Sequence, residues 1–149
     1  MKNFFDPSAA ADILSRFEKL QPDSKAVWGR MNVAQMLAHI QVPTQVSLGD
    51  RQLKRSIPGF LFGAFVRKKL LNDKPFPVGL PTDPSFVMKG DYDFQTEKQK
   101  AFALLNRLIE GGQSGITKAT HPFFGKMTAD EWGILTWKHM DHHLRQFGV

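Results

Sequence analysis

The stretch Thr128-Ala-Asp-Glu-Trp-Gly-Ile-Leu-Thr-Trp-Lys-His-Met-Asp-His-His-Leu-Arg-Gln-Phe147 reads as one helix, and the rest of the chain is organised around it. Thr128 with Glu131 three residues later forms a capping box, and Gly148 is a stop signal. His139 and His143 are four residues apart. Four residues turn an α-helix by about 400°, so the two imidazoles stand one above the other, roughly 40° apart around the axis. A metal ion needs that arrangement from two ligands on one helix. His142 points roughly 60–100° away, beside Glu131, Lys138 and Arg145, and reads as polar face or flank.

Earlier segments supply the helices that this one can pack on. Asp6-Pro7 opens a first helix, with Asp6 as N-cap and Pro7 at the first helical position. Ala10, Ile13, Leu14, Phe17 and Leu20 repeat at helical spacing until Pro22-Asp23. Asn32 and Gln35 make a second capping box. Val33, Met36, Leu37, Ile40 and Thr44 then form one apolar stripe, with His39 roughly 100° from its centre. Pro43 is expected to kink this helix or end its regular part. A third long helix starts at Asp93, buries Phe94, Ala101, Leu104, Leu105 and Leu108, and stops at Gly111-Gly112.

Between the second and third long helices lies a connection from about residue 50 to 90. It begins basic, turns aromatic and ends proline-rich, in Lys74-Pro75-Phe76-Pro77-Val78-Gly79-Leu80-Pro81-Thr82-Asp83-Pro84. A short helix over Pro58 to Leu71 fits its middle, while the proline segment is expected to lack regular structure. No segment alternates with a clean period of two. The expected fold is all-α: a single domain over residues 1–149, a four-helix bundle with a long crossover that carries a short helix.

Composition narrows the chemistry. The chain of 149 residues is long enough to bury about two-thirds of its unfolded surface. It has no cysteine, so disulfides, thiolate metal sites and a cysteine nucleophile are out. Any metal must be held by nitrogen and oxygen. The N-terminus lacks a signal-peptide core, and the longest apolar run, Ile57 to Val66, is about half a membrane span. The expected compartment is the cytoplasm, with no membrane partner. The formal charge is +6 and the pI about 9.7, but the basic residues are scattered apart from Lys54-Arg55 and Arg67-Lys68-Lys69. They read as a solvated surface that serves a small anionic substrate as well as a polymer, and no nucleic-acid partner is expected.

Three histidines are candidate ligands: His39 on the second helix, His139 and His143 on the last. If the two helices are neighbours, the three imidazoles can meet at one mouth of the bundle. Three neutral imidazoles leave a divalent ion its full charge and open positions, the catalytic pattern for zinc; nickel and iron(II) are also suited to imidazole. The same spacing arises by chance on amphipathic helices, where edge histidines are merely hydrogen-bonded. Other residues take plainer readings. Gln146 is a ligand-bonding group or, by default, a solvated helix end. His121 is a loop-packing histidine. Trp132 and Trp137 are core aromatics, and Asp130 and Asp141 are helix-surface charges.

Trp28-Gly29-Arg30-Met31-Asn32-Val33-Ala34-Gln35-Met36-Leu37-Ala38-His39 resembles the second-helix signature of the DinB-like superfamily of metal-dependent bundle proteins. His121-Pro122-Phe123-Phe124-Gly125-Lys126-Met127-Thr128-Ala129-Asp130-Glu131-Trp132, followed by His139, His142, His143 and Gln146, resembles its last loop and helix. Pro75-Phe76-Pro77 with Leu80-Pro81-Thr82-Asp83-Pro84 resembles an uncharacterised branch. The resemblance implies a bundle in up-down-down-up order, often a homodimer, with His39, His139 and His143 as metal ligands. Characterised members include thiol S-transferases that use bacillithiol or mycothiol, and a maleylpyruvate isomerase.

The expected function is therefore a divalent-metal enzyme, with zinc or nickel first and iron or manganese next. It would activate a low-molecular-weight thiol or water for attack on an electrophilic small molecule, as an S-transferase or hydrolase does. The alternative is a non-enzymatic bundle that binds a small ligand or a protein and carries the histidines as relics. Convergent, solvent-reachable imidazoles favour the enzyme; splayed or sealed ones favour the binder.

Overall fold

The computed structural model describes residues 1–80, 82 and 84–149, and for Ser85 the backbone only. Pro81 and Asp83, part of the proline-rich segment singled out above, lie outside the described residues. Five α-helices follow one another: α1 Pro7–Glu18, α2 Val33–Leu48, α3 Ile57–Leu70, α4 Phe94–Gly111 and α5 Ala129–Gln146. Short 3-10 turns stand at Pro84–Phe86 and Gly112–Gly115. Among the described residues there is no strand; one isolated antiparallel bridge joins His121 and Gly125. The all-helical class and the short helix in the long connection are as the sequence implies, and Pro84–Phe86 shows that part of the proline segment does take up a regular turn.

The helix starts are written in the local sequence. Asn32 and Thr128 each accept a hydrogen bond from the third residue of their helix, and the Gln35 and Glu131 side chains return the bond. Two orphan amide donors are satisfied at each start, which stabilises a helix by about 1 kcal/mol. Asp93 caps α4 through the Thr96 amide. Asp6 precedes Pro7 as expected but makes no side-chain cap bond.

The core gathers Phe4, Ile13, Phe17, Leu20, Met36, Leu37, Leu105 and Leu108, each with almost no exposure. Full burial of one such side chain stabilises the fold by roughly 1.5–3 kcal/mol. Helix α2 packs along α4 and against α5, and α1 packs on α5. Because α2 is flanked on two sides, residues all around it are buried, Gln41, Val42, Thr44 and Ser47 included. The single stripe expected for α2 was therefore too narrow, and His39 lies inside the protein rather than off its edge. The helix also continues past Pro43 to Leu48, where Gly49 in the left-handed region caps it. Proline costs α2 one internal bond, to the carbonyl of residue 39, and packing on both sides holds the helix through it.

Two charged residues of α5, Asp141 and Lys138, are drawn in from the surface, while Asp130 stays exposed, as expected, and bonds across the fold. Asp130 accepts from the Asn3 amide at 2.7 Å, which ties the N-terminal segment to α5. Asp141 pairs with Arg16 of α1 at 2.8 Å. Lys138 is buried, and its ammonium donates to the carbonyls of Leu70, Asn72 and Lys74. It thus satisfies orphan carbonyls at the C-terminal end of α3, where a cation is favoured. No helix among the described residues is long and apolar enough to cross a membrane.

Candidate metal centre

Helix α2 brings His39, and α5 brings His139 and His143, to one place. The Nε2 atoms of His39 and His139 are 3.2 Å apart, and those of His139 and His143 are 3.1 Å apart. One ligand atom from each ring lies within 4.8 Å of the others. His139 and His143 are neighbours along α5 as the spacing implies, with ring centroids 4.6 Å apart and ring planes nearly perpendicular. The three residues named from sequence are the three that converge. His39 and His143 are buried; His139 keeps partial contact with solvent.

The outer nitrogens decide which way the lone pairs point. His39 Nδ1 lies 2.8 Å from the Phe86 carbonyl oxygen, which can only accept. Nδ1 therefore carries the proton, and a neutral His39 presents a bare Nε2 inward. His143 Nδ1 lies 2.8 Å from Gln146 Oε1. The Gln146 amide group is oriented by its Nε2, which donates to the Trp28 carbonyl at 2.8 Å. His143 is then a donor at Nδ1 and bare at Nε2. Such outer bonds fix the tautomer and ring direction of imidazole ligands in metal sites. His139 Nδ1 is buried without a partner.

Two bare lone pairs thus face a third Nε2 at hydrogen-bonding distance. Were His139 Nε2 protonated, its one proton could satisfy one of the two contacts and leave the other as lone pair against lone pair. An added proton is disfavoured. Burial, first among the causes, lowers the pKa of all three rings: His39, where the Phe86 carbonyl opposes the shift; His139, with its neighbouring imidazoles adding to it; and His143, pushed down to about 3. Neutral imidazoles at ordinary pH are the form a metal ion takes up. Ligands around a tetrahedral ion with 2.0–2.1 Å bonds lie about 3.3 Å apart, and the two spacings to His139 Nε2, 3.2 and 3.1 Å, match that. Among the described residues no carboxylate joins the three, and an ion held by these imidazoles alone would keep its charge and open coordination positions.

His142 does not join them. It stands half-buried, 5.8 Å from the Trp28 ring and 6.2 Å from the Phe76 ring, and flanks His143 at 5.1 Å. Burial lowers its pKa, against the nearby Phe76 backbone and Asp141, which favour the charged form. His121 is elsewhere: its Nδ1 accepts from the amides of Phe123 and Phe124 at 3.0 Å, and its ring lies between Phe124 and Trp132. It is the loop-packing residue that the sequence suggests.

Gln146 is buried, contrary to its reading as a solvated helix end. It clasps the loop before α2 to α5, and Val27 reinforces the clasp by donating to the Gln146 carbonyl at 2.7 Å. Gly29 makes room for it: with φ at +83°, a Cβ there would stand 2.5 Å from Gln146 Nε2. Phe86, Trp28 and Gly29 act through the backbone, so nothing in their side-chain chemistry announces them. The three-residue step from His143 to Gln146 was the one visible signal. An open cavity of about 640 Å³ is lined by Ala38, Val42, Pro84, Val87, Tyr92 and Glu97 among others, with the cations Arg51, Lys89 and Lys100 at its walls; none of the three histidines lines it.

A family model described as "protein of unknown function (DUF1569)" matches residues 5–148. The chain belongs to the DUF1569 family. No curated protein and no solved structure matches it.

Proposed function

We propose that this DUF1569 protein is a divalent-metal-dependent enzyme that activates a small thiol or water for attack on an electrophilic small molecule. His39, His139 and His143 are its ligands, and zinc or nickel is the preferred ion. The carrying observation is the pair of bare Nε2 atoms on His39 and His143, both turned by accepting groups toward His139 Nε2. A cation held there would act as a Lewis acid, lowering the pKa of a thiol or water at an open position. The Phe86 carbonyl and the Gln146 amide hold two rings in place, and burial keeps all three unprotonated. His139 alone of the three keeps partial exposure.

The DinB-like kinship is proposed on the same residues, and with it the up-down-down-up order, a homodimer and a cytoplasmic setting. Convergence of the three imidazoles supports the enzyme over a bundle with relic histidines. Elemental analysis of protein purified from medium replete in zinc, nickel, iron and manganese tests the site. About one ion per chain is expected, abolished in His139→Ala. Metal-free protein, or a His139→Ala variant with unchanged metal content, overturns the proposal. Turnover is then sought by pairing low-molecular-weight thiols with electrophilic acceptors.

A further inference from the structure

Helix α3 turns its apolar side outward. Ile57, Phe60, Leu61, Phe62 and Phe65 are all between 59 and 78% exposed. An isolated exposed apolar residue needs no reason, but five on one two-turn stretch do. The cause is on the opposite side. Gly59 and Gly63, four residues apart, lie against the backbone of Phe123, where added Cβ atoms would stand 2.7 and 1.9 Å away. Ser56 donates from its amide to the Pro122 carbonyl, Arg67 reaches the Lys126 carbonyl and Glu131, and Lys138 holds the far end. The helix is thus fixed by its glycine side to the loop before α5, has no extensive contact with another helix, and can only present the large side chains to the outside.

Charge says what can cover this face. Residues 51–72 hold six cations, Arg51, Lys54, Arg55, Arg67, Lys68 and Lys69, and no Asp or Glu. Four of them, Lys54, Arg55, Lys68 and Lys69, are exposed, at the two ends of the apolar face. The Arg55 guanidinium lies 4.9 Å from the Phe60 ring and the Lys69 ammonium 5.3 Å from the Phe65 ring. A second copy docked across a two-fold axis would set these cations against their own kind, with no acid on the helix to answer them. An anionic surface meets both features: cations pair with headgroups while the rings enter the boundary with the acyl chains.

We propose that α3 docks the protein on an anionic lipid bilayer, lying flat with its 14 residues, about 21 Å, along the surface. This differs from the expectation of no membrane partner, which rested on the absence of a spanning segment and on reading the basic residues as a solvated surface. Each cation near such a surface contributes about fivefold in partitioning, and the contribution is screened by salt.

Co-sedimentation of the full chain with vesicles tests it. Phosphatidylcholine mixed with phosphatidylglycerol should carry the protein down, phosphatidylcholine alone should not, and rising salt should release it. Phe60→Ser with Phe65→Ser, and separately Lys68→Glu with Lys69→Glu, should each weaken binding by roughly tenfold or more while circular dichroism stays unchanged. Absence of binding to anionic vesicles, equal binding to both vesicle types, or variants that bind like the parent would overturn the proposal. So would a dimer in sedimentation that Phe60→Ser with Phe65→Ser converts to monomer, since a second copy would then cover the face.

Discussion

Buried histidine is used in two regions of this protein, and the uses are opposite. In the loop before α5, His121 turns its Nδ1 lone pair onto two backbone amides. Between α2 and α5, His39, His139 and His143 turn their Nε2 atoms onto one another. Burial depresses the pKa of both groups, so neutrality does not distinguish them. What differs is the supply of donors. The loop gives its lone pair two N–H groups and is complete in itself. In the cluster His39 and His143 have spent their N–H groups outward, on Phe86 and Gln146, and the one proton of a neutral His139 can satisfy at most one of the two lone pairs that face it. A buried polar group without a partner is costly, so a persistent shortage of donors is a reason to look for a cation.

The sharpest way to break this contrast is to remove one residue from each region. His139→Ala should abolish stoichiometric metal binding. It should also erase the rise in Tm that saturating metal gives the parent, worth about 3–4 kcal/mol at several hundred times Kd. His121→Ala should keep its metal, because it touches none of the three rings. If folded His121→Ala loses the metal as well, or His139→Ala retains it, the two regions are not distinct in the way described.

A smaller effect separates them in the metal-free protein. Truncating His121 leaves two amides without their acceptor and should destabilise the fold by about 2 kcal/mol. The ring titrates at about 4 in the folded protein against an ordinary value of about 6.5. The unfolded chain therefore takes up its proton first. The stability contributed by neutral His121 is fully present above about pH 6.5 and is lost as pH falls toward 4, by up to roughly 3 kcal/mol. Urea unfolding at several pH values, with chelator present, should show a shallower decline in His121→Ala than in the parent. The cluster rings contribute the same sign of decline, so both proteins should still weaken in acid; equal slopes would remove His121 from the account.

Much of this could be read from residue order, and the limit has a physical form. The helix starts were visible because capping is a local bond between residues three apart. The His139 and His143 pair was visible because helical geometry alone brings residues four apart together. His39 could be nominated but not placed, since its burial depends on α2 being flanked by both α4 and α5. The burial of Lys138 was not legible because its partners are carbonyls some 64–68 residues away, and carbonyls are the same in every residue. Gln146 was misread for the same reason: its assignment needs the Trp28 carbonyl, delivered by a loop 118 residues earlier.

Gln146 also provides the finest test of how the cluster differs from the self-contained loop. If ring direction at the centre is set from outside, loss of the His143 acceptor should weaken the metal without removing any ligand. Gln146→Leu removes both its acceptor and its donor, and should lower metal affinity by roughly 10–100-fold, the usual range for outer partners of imidazole ligands. Gln146→Glu keeps an acceptor for His143 Nδ1 but gives up the donor to Trp28. Competition with a chromophoric chelator should find its affinity closer to the parent's, while hydrogen exchange at Val27 through Gly29 speeds up. Gly29→Ala should behave like the leucine variant, because its Cβ would fall 2.5 Å from the Gln146 amide nitrogen. Parent-like affinity in both Gln146→Leu and Gly29→Ala would mean that α2 and α5 aim the rings unaided, and that the clasp serves only the loop.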